Sequence, residues 1–346
     1  MTPIELAALA AAVGAASWGG TALVLRYLER RAILDRPNER SSHRRPTPRG
    51  GGLAVVPVAL AAWGGLGVAS GAEPLFWIVL AAAAALAAVS WIDDVRGLSP
   101  APRLLSHLLA IAAVLASMPS DWTIFQGLIP PALDRVAAGL LWVWFVNLYN
   151  FMDGIDGITS TETASIGIGA AVVAALAGGI VVAGVGVAPL GIALAATAGG
   201  FLMLNWHPAR IFLGDVGSVP LGFLCGWLLI ALAAAGHWPA ALILPAYYWA
   251  DATITLARRA ARLQPVWQAH REHAYQKAVA AGTPHDRVVL RIAALNLVLI
   301  VLAAAASPWP EAALALSTIA TAWLLRRLAR GAPAAARTGA PDADCA

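Results

Sequence analysis

Charge is scarce in this chain. Of 346 residues only 12% are Asp, Glu, Lys or Arg, while 60% are hydrophobic and the mean hydropathy is +0.72. That scarcity excludes a soluble globular domain, whose surface alone needs about 25% charged residues. Cysteine is nearly absent: Cys225 lies inside an apolar run and Cys345 in the C-terminal tail, so no disulfide framework is implied. No positive charge precedes the first apolar stretch either. MTPIE carries none and the basic cluster follows the stretch, the reverse of a signal-peptide layout, so residues 4–25 read as a span.

What the chain does have is apolar stretches, each long enough for a helix to cross a bilayer. There are about eleven, near 4–25, 51–70, 74–92, 104–119, 135–150, 161–183, 185–204, 212–235, 240–257, 288–306 and 309–325. Ala and Gly dominate them, which suits close helix packing in lipid. The expected fold is all-α: a polytopic helical membrane protein with one catalytic domain over 1–330 and a disordered tail over 331–346. Arg and Lys set the orientation. With the loop bearing Arg26 to Arg49 placed inside and the spans threaded alternately, only Arg135 of the 23 basic residues falls outside. The N-terminus is then outside and the C-terminus cytosolic.

The same threading gathers every polar cluster on the cytosolic side. The most informative is NLYNFMDGIDG (147–157), where Asn147, Asn150, Asp153 and Asp156 step three apart at the end of a long apolar run. The first three share a helix face. Asn and Asp oxygens are hard ligands suited to Mg²⁺ or Mn²⁺. Polar groups at membrane depth are costly, which favours a chemical role over helix capping. Asn147 is a substrate-binding candidate with no more specific role.

SWIDDVRGLSP (90–100) adds Asp93 and Asp94 at another inner end. Neighbouring helical positions diverge by about 100°, so one acid is expected to face the site and the other to pair with a cation such as Arg96. NWHPARIFLGDVGSVPLGF (205–223) opens an outward-running helix. Gly214, Gly217 and Ser218 would let its N–H groups approach a phosphate, Asp215 would be a second metal ligand, and Phe212 would stack on a base. The loop 258–288 carries HREHAYQK, whose His270 and His273 are expected on one face of a short helix, with Arg271 among the loop's basic residues, as a cationic clamp on a diphosphate. Zinc lacks further ligands there. DRPNERSSHRRPTPRGGG (35–52) contributes Arg44 and Arg49 as anion-binding candidates.

The order PTPRGGG, DDVRGL, NLYNFMDGIDG, FLGDVGS, HREHAYQ resembles that of the polyprenyl-phosphate sugar-1-phosphate transferases of glycosyltransferase family 4, over residues 35 to about 280. The group includes undecaprenyl-phosphate N-acetylglucosamine-1-phosphate transferases and the muramoyl-pentapeptide translocase. The resemblance implies transfer of a sugar 1-phosphate from a UDP-sugar to undecaprenyl phosphate with release of UMP, at the cytosolic face of a bacterial inner membrane, with Mg²⁺. It puts the metal on Asn150 and Asp215, Asp93 and Asp94 near the lipid phosphate, Asp153 and Asp156 in the nucleotide pocket, Phe212 by the uracil, and His270 and His273 beside the diphosphate.

Two departures separate the chain from the muramoyl-pentapeptide branch: Arg44 stands where that branch has lysine, and His-Arg-Glu-His replaces a run of histidines. HREHAYQ looks closer to the branch that starts O-antigen chains with N-acetylated aminosugars such as GlcNAc, FucNAc or QuiNAc. The partners implied are a UDP-N-acetylhexosamine, undecaprenyl phosphate and the bilayer, with a homodimer as a possible assembly and no nucleic acid. The rival readings are a muramoyl-pentapeptide translocase-type transferase and, from another class, a secondary transporter or flippase. A transporter would place its acids near the midplane of repeated halves, and no repeat is visible.

Overall fold

A computed structural model describes residues 1–35, 46–265 and 270–330. Arg44 and the tail 331–346 lie outside the described residues. The helices are α1 (Pro3–Arg30), α2 (Gly52–Ser70), α3 (Pro74–Arg96), α4 (Pro100–Ser117), α5 (Pro131–Phe151), α6 (Ile158–Leu176), α7 (Val187–Asn205), α8 (Asp215–Leu232), α9 (Trp238–Ile243), α10 (Ala246–Ala261), α11 (Ala274–Ala280), α12 (His285–Ala305) and α13 (Pro310–Ala329). Strand structure among the described residues is confined to two antiparallel pairs, Leu34–Asp35 with Thr47–Pro48 and Val181–Val182 with Val185–Gly186. The protein is an all-α polytopic membrane protein.

Local sequence sets the boundaries. Proline occupies the first turn of α1, α3, α4, α5 and α13, where its missing N–H costs nothing. Thr2 and Glu5 form a reciprocal cap at the start of α1. Every apolar stretch read from the sequence falls on a helix. Nine helical segments among the described residues are long and apolar enough to cross a membrane, one of them running from α8 into α9. The two stretches outside that set have visible reasons. Asp134, Arg135, Asn147 and Asn150 dilute α5, while 240–257 breaks at Pro245 into six-residue α9 and sixteen-residue α10.

Helix α8 is the axis of the bundle: all residues from Val216 to Leu232 are buried. A helix apolar on every face belongs inside a bundle rather than against lipid, and α2, α3, α5, α6 and α9 pack around it. The chain direction alternates so that α3, α5 and α7 end, and α2, α4, α6 and α8 begin, at one end of the bundle. The site forms there.

Candidate active site

The site starts from a backbone zipper between two motifs distant in sequence. Phe212 N–H donates to the Pro48 carbonyl (2.8 Å), the Phe212 carbonyl accepts from Gly50 and Gly51 (3.1 and 2.8 Å), and the Leu213 carbonyl accepts from Gly52 (2.9 Å). PTPRGGG therefore lies along FLGDVGS, and Arg49 hangs over the start of α8. One Arg49 guanidinium nitrogen lies 2.7 Å from Asp215 Oδ1 and 2.9 Å from Asp94 Oδ1. Burial acts against the Arg49 charge, but Asp94 and Asp215 outweigh it and hold the guanidinium pKa above its ordinary value.

Asp94 also receives the N–H groups of Asp215 and Val216 (3.2 and 2.9 Å), so it caps α8 as well as pairing with Arg49. Gly214 makes this possible: its φ is +76°, and a Cβ there would sit 2.8 Å from Asp94 Oδ2. The N–H groups of Gly217 and Ser218 donate to the Gly214 carbonyl, both at 3.0 Å. The expectation that this helix start presents free N–H groups to a phosphate is corrected here. A carboxylate from α3 already occupies them, and Gly214 serves the approach of Asp94.

The other half of the site is organised by Arg103, in the first turn of α4. Its Nε lies 3.1 Å from Asp93 Oδ2, and one terminal nitrogen lies 3.1 Å from Asp215 Oδ2 and 3.4 Å from Asn150 Oδ1. Asp93 also accepts from the Leu98 N–H at 2.6 Å, closing the end of α3. The two adjacent acids do divide their tasks, with Arg103 and Arg49 as the partners in place of Arg96. Asn150 reaches α8 through its amide nitrogen, which donates to Ser218 Oγ at 2.9 Å. Asn147 stays apart: its amide nitrogen donates to the Val143 carbonyl of its own helix (2.7 Å), away from the carboxylates.

Arg103 was not a candidate on sequence, where topology alone explains an inner arginine. The short GLSP connection after DDVR is the signal that could have found it, because it turns α4 back beside Asp93. Substituting Arg103→Gln removes the counter-charge of Asp93 and half that of Asp215. Losing one partner of such a charge pair costs about 2–5 kcal/mol, so activity is expected to fall on the order of 10²-fold. Lys restores little because it lacks the planar fork. Initial rates of the two variants at equal expression check this.

The two acids of the MDGIDG turn separate. Asp153 is half-buried, accepts from Thr159 Oγ1 at 2.7 Å, and has its pKa pushed up to about 6 by burial, against the Thr159 hydrogen bond, with Asp215 adding to the rise. A folded-state value above the ordinary 3.8 means the native state holds its proton more tightly than the unfolded chain. Asp153 therefore contributes a component of stability that falls as pH rises from about 4 to about 6, and Asp153→Asn lacks that component. Melting temperatures of the pair across that window check the sign. Asp156, by contrast, turns toward two histidines. Its Oδ2 lies 2.6 Å from His207 Nδ1 and 3.3 Å from His285 Nδ1, and accepts from the Ala209 N–H at 3.2 Å. Burial works to raise its pKa, yet the hydrogen bonds from His285 and His207 bring it below the usual value.

The histidine motif differs from the expected helix face. α11 begins at Ala274, and His273 is its N-cap with Gln276 as the reciprocal partner. The His270 and His273 rings still lie together, centroids 4.9 Å apart. Burial first, then the neighbouring His273 and Arg259, pulls the His270 pKa down to about 4. The ring is neutral near pH 7, so the expected cationic clamp is not provided by His270. Arg271 is exposed, and Phe212 is half-buried at the zipper. Asp251 of α10 fixes the motif: both its oxygens accept from the Ala274 N–H (2.9 and 3.1 Å), and Tyr275 donates to the Phe151 carbonyl at 3.3 Å.

Four helices of a membrane bundle and the PTPRGGG segment thus bring three carboxylates, an amide oxygen and two arginines to one end. This is a polar reaction centre on a membrane scaffold. The glycosyl transferase family 4 model matches residues 76–233, which contain Asp93, Asp94, Arg103, Asn150, Asp153, Asp156 and Asp215. Over that stretch the chain is similar to glycosyl transferase family 4. It is 28% identical over 284 residues to a Bacillus subtilis protein named "Probable undecaprenyl-phosphate N-acetylglucosaminyl 1-phosphate transferase" (79% of this chain, 76% of that one). It is 28% identical over 340 residues to a decaprenyl-phosphate N-acetylglucosaminephosphotransferase of Mycobacterium tuberculosis (83% and 79%). It is 29% identical over 277 residues to a phospho-N-acetylmuramoyl-pentapeptide-transferase of Deinococcus radiodurans (71% and 80%).

Proposed function

We propose that this protein transfers a sugar 1-phosphate from a UDP-sugar to a polyprenyl phosphate, releasing UMP. The observation that carries the reading is the convergence of Asp93, Asp94, Asp215 and Asn150 under Arg49 and Arg103 at one end of the bundle. Both reactants are phosphates, and moving a phosphoryl group between them needs positioning and charge neutralisation more than covalent help. A polyprenyl chain, at about 0.8 kcal/mol per buried CH₂, stays in the bilayer, so the soluble nucleotide must come to the membrane face. The distribution of arginine supports a cytosolic face, and the bacterial relatives support an inner membrane.

Asn150 and Asp215 are the residues that would hold Mg²⁺. They fit the ion: both offer hard oxygens, and a cationic Arg103 nitrogen already lies within 3.1 and 3.4 Å of them. Three carboxylates against two guanidinium groups also leave the cluster one positive charge short of neutral. When bound, the ion supplies Lewis-acid neutralisation of diphosphate charge. The chain's own groups do the rest. Arg49 and Arg103 bind phosphate oxygens, Asp93 or Asp94 orients the attacking lipid phosphate, and Asp153 with Thr159 shapes the nucleotide side. Neutral His270 can donate a hydrogen bond to the diphosphate without adding charge.

The names of the Bacillus and Mycobacterium relatives both support N-acetylglucosamine as the sugar, and they name undecaprenyl and decaprenyl phosphate respectively as the lipid; FucNAc and QuiNAc, with a role in O-antigen initiation, are the alternatives from the HREHAYQ motif. A panel of UDP-GlcNAc, UDP-FucNAc, UDP-QuiNAc and UDP-MurNAc-pentapeptide with undecaprenyl phosphate and Mg²⁺ separates them. The expected result is UMP release with one N-acetylhexosamine donor and little with the pentapeptide. A pentapeptide preference would move the chain to the translocase branch, and no UMP from any donor would end the reading.

A further inference from the structure

Asp156, His207 and His285 come from three separate places: the turn after α5, the loop after α7 and the first residue of α12. Their ligand atoms all lie within 4.8 Å of one another. Asp156 and His285 are buried, while the His207 side chain is 36% exposed, so the group opens to solvent on one side only. The two rings tilt toward each other with centroids 4.9 Å apart.

Hydrogen bonding does not settle this cluster. His285 Nδ1 lies 3.4 Å from the Asp156 N–H, where it must accept, and 3.3 Å from Asp156 Oδ2, where it must donate. One nitrogen cannot do both. Asp156 Oδ2 is meanwhile crowded by His207 Nδ1 and the Ala209 N–H. Two imidazole nitrogens and a carboxylate oxygen gathered within 4.8 Å of one another are a donor set that a cation can bridge.

We infer that Asp156, His207 and His285 form a binding site for a transition-metal cation of the Zn²⁺ class, separate from the hard-oxygen pair Asn150 and Asp215. Two imidazole nitrogens with one carboxylate select Zn²⁺, Co²⁺ or Ni²⁺ over Mg²⁺. Three protein ligands leave a fourth position for water, on the side where His207 meets solvent. Bonds of about 2.0–2.2 Å in a tetrahedral site set ligand atoms about 3.4 Å apart. The His285–Asp156 separation of 3.3 Å already matches, and the His207–Asp156 separation of 2.6 Å has to open by less than about 1 Å. Such an ion would clasp the loops after α5 and α7 to the start of α12. The inference does not depend on the transfer reaction.

The test uses the full-length protein in detergent, stripped by chelator and titrated with Co²⁺. The expected result is about one Co²⁺ per chain with visible d–d absorption, displaced by Zn²⁺ and unaffected by excess Mg²⁺, together with a rise in melting temperature. His207→Ala and His285→Asn each lose the absorption band and the melting shift, whereas Asp215→Asn keeps both. Should His285→Asn fail to fold, His207→Ala, on the exposed side, decides alone. No band in the wild type, a band that survives His207→Ala, or a band lost in Asp215→Asn would overturn the inference.

Discussion

Asp215→Ala is expected to release UMP at least about 10³-fold more slowly than wild type, with its protein still folded in the membrane. Asp215 is where the two halves of the site meet. Its Oδ1 binds Arg49 at 2.7 Å and its Oδ2 binds Arg103 at 3.1 Å. Alanine deletes a proposed metal ligand and leaves both guanidinium groups short of one partner. The fold survives because the backbone contacts of the α8 start do not depend on this side chain. Asp94 still receives the Asp215 and Val216 N–H groups, and still pairs with Arg49. The variant is read by UMP release across a Mg²⁺ titration beside wild type. Unchanged Mg²⁺-dependent release would remove Asp215 from the metal assignment.

Gly52→Ala is expected to be as damaging by a wholly different route. A Cβ at Gly52 would lie 2.3 Å from the Gly217 nitrogen, 2.4 Å from its Cα and 2.6 Å from the Val216 carbonyl carbon. All three are backbone atoms in the first turn of α8, and no side chain can rotate away. Overpacking a closed contact costs about 1–3 kcal/mol and sometimes more. Here the displacement opens the zipper that carries Arg49, since Gly52 N–H donates to the Leu213 carbonyl two residues before Asp215. Both the melting temperature and the rate should fall, the rate by on the order of 10²-fold through misplacement of Arg49 alone. A variant with wild-type rate and stability would show that α2 and α8 are not held this closely.

The bundle was legible because span length and arginine distribution are strong signals. Threading the loops by charge alone put Asp93, Asp94, Asn150, Asp215 and the histidine motif at one end, and their contacts join them there. What sequence could not resolve was competition for the same partner. A glycine-containing helix start reads as a phosphate cradle until Asp94 arrives from α3 to take its N–H groups. Arg103 read as a topology residue because nothing in a linear motif distinguishes an arginine that lies at a membrane face from one that bridges two carboxylates. Asn147 fell in step with Asn150 and Asp153, but its amide bonds its own helix.

Burial was the other hidden variable. His270 looked cationic in a basic loop, and packing against His273 and Arg259 makes it neutral. Glu162, within the polar run ITSTETAS at the start of α6, is fully buried and accepts from Asn296 of α12 at 2.8 Å. In sequence it was one more polar residue near a span end. His207 and His285 are separated from Asp156 by about fifty and well over a hundred residues, and no local spacing announces that they meet.

The central claim is that the group transferred is a sugar 1-phosphate, and the nucleotide product tests it most directly. Purified protein with undecaprenyl phosphate, Mg²⁺ and UDP-GlcNAc labelled in both the sugar and the β-phosphate should release UMP, with both labels appearing together in the lipid fraction. Release of UDP, with sugar label alone in the lipid, would mean that the glycosidic bond rather than the diphosphate had been broken, and would contradict the account.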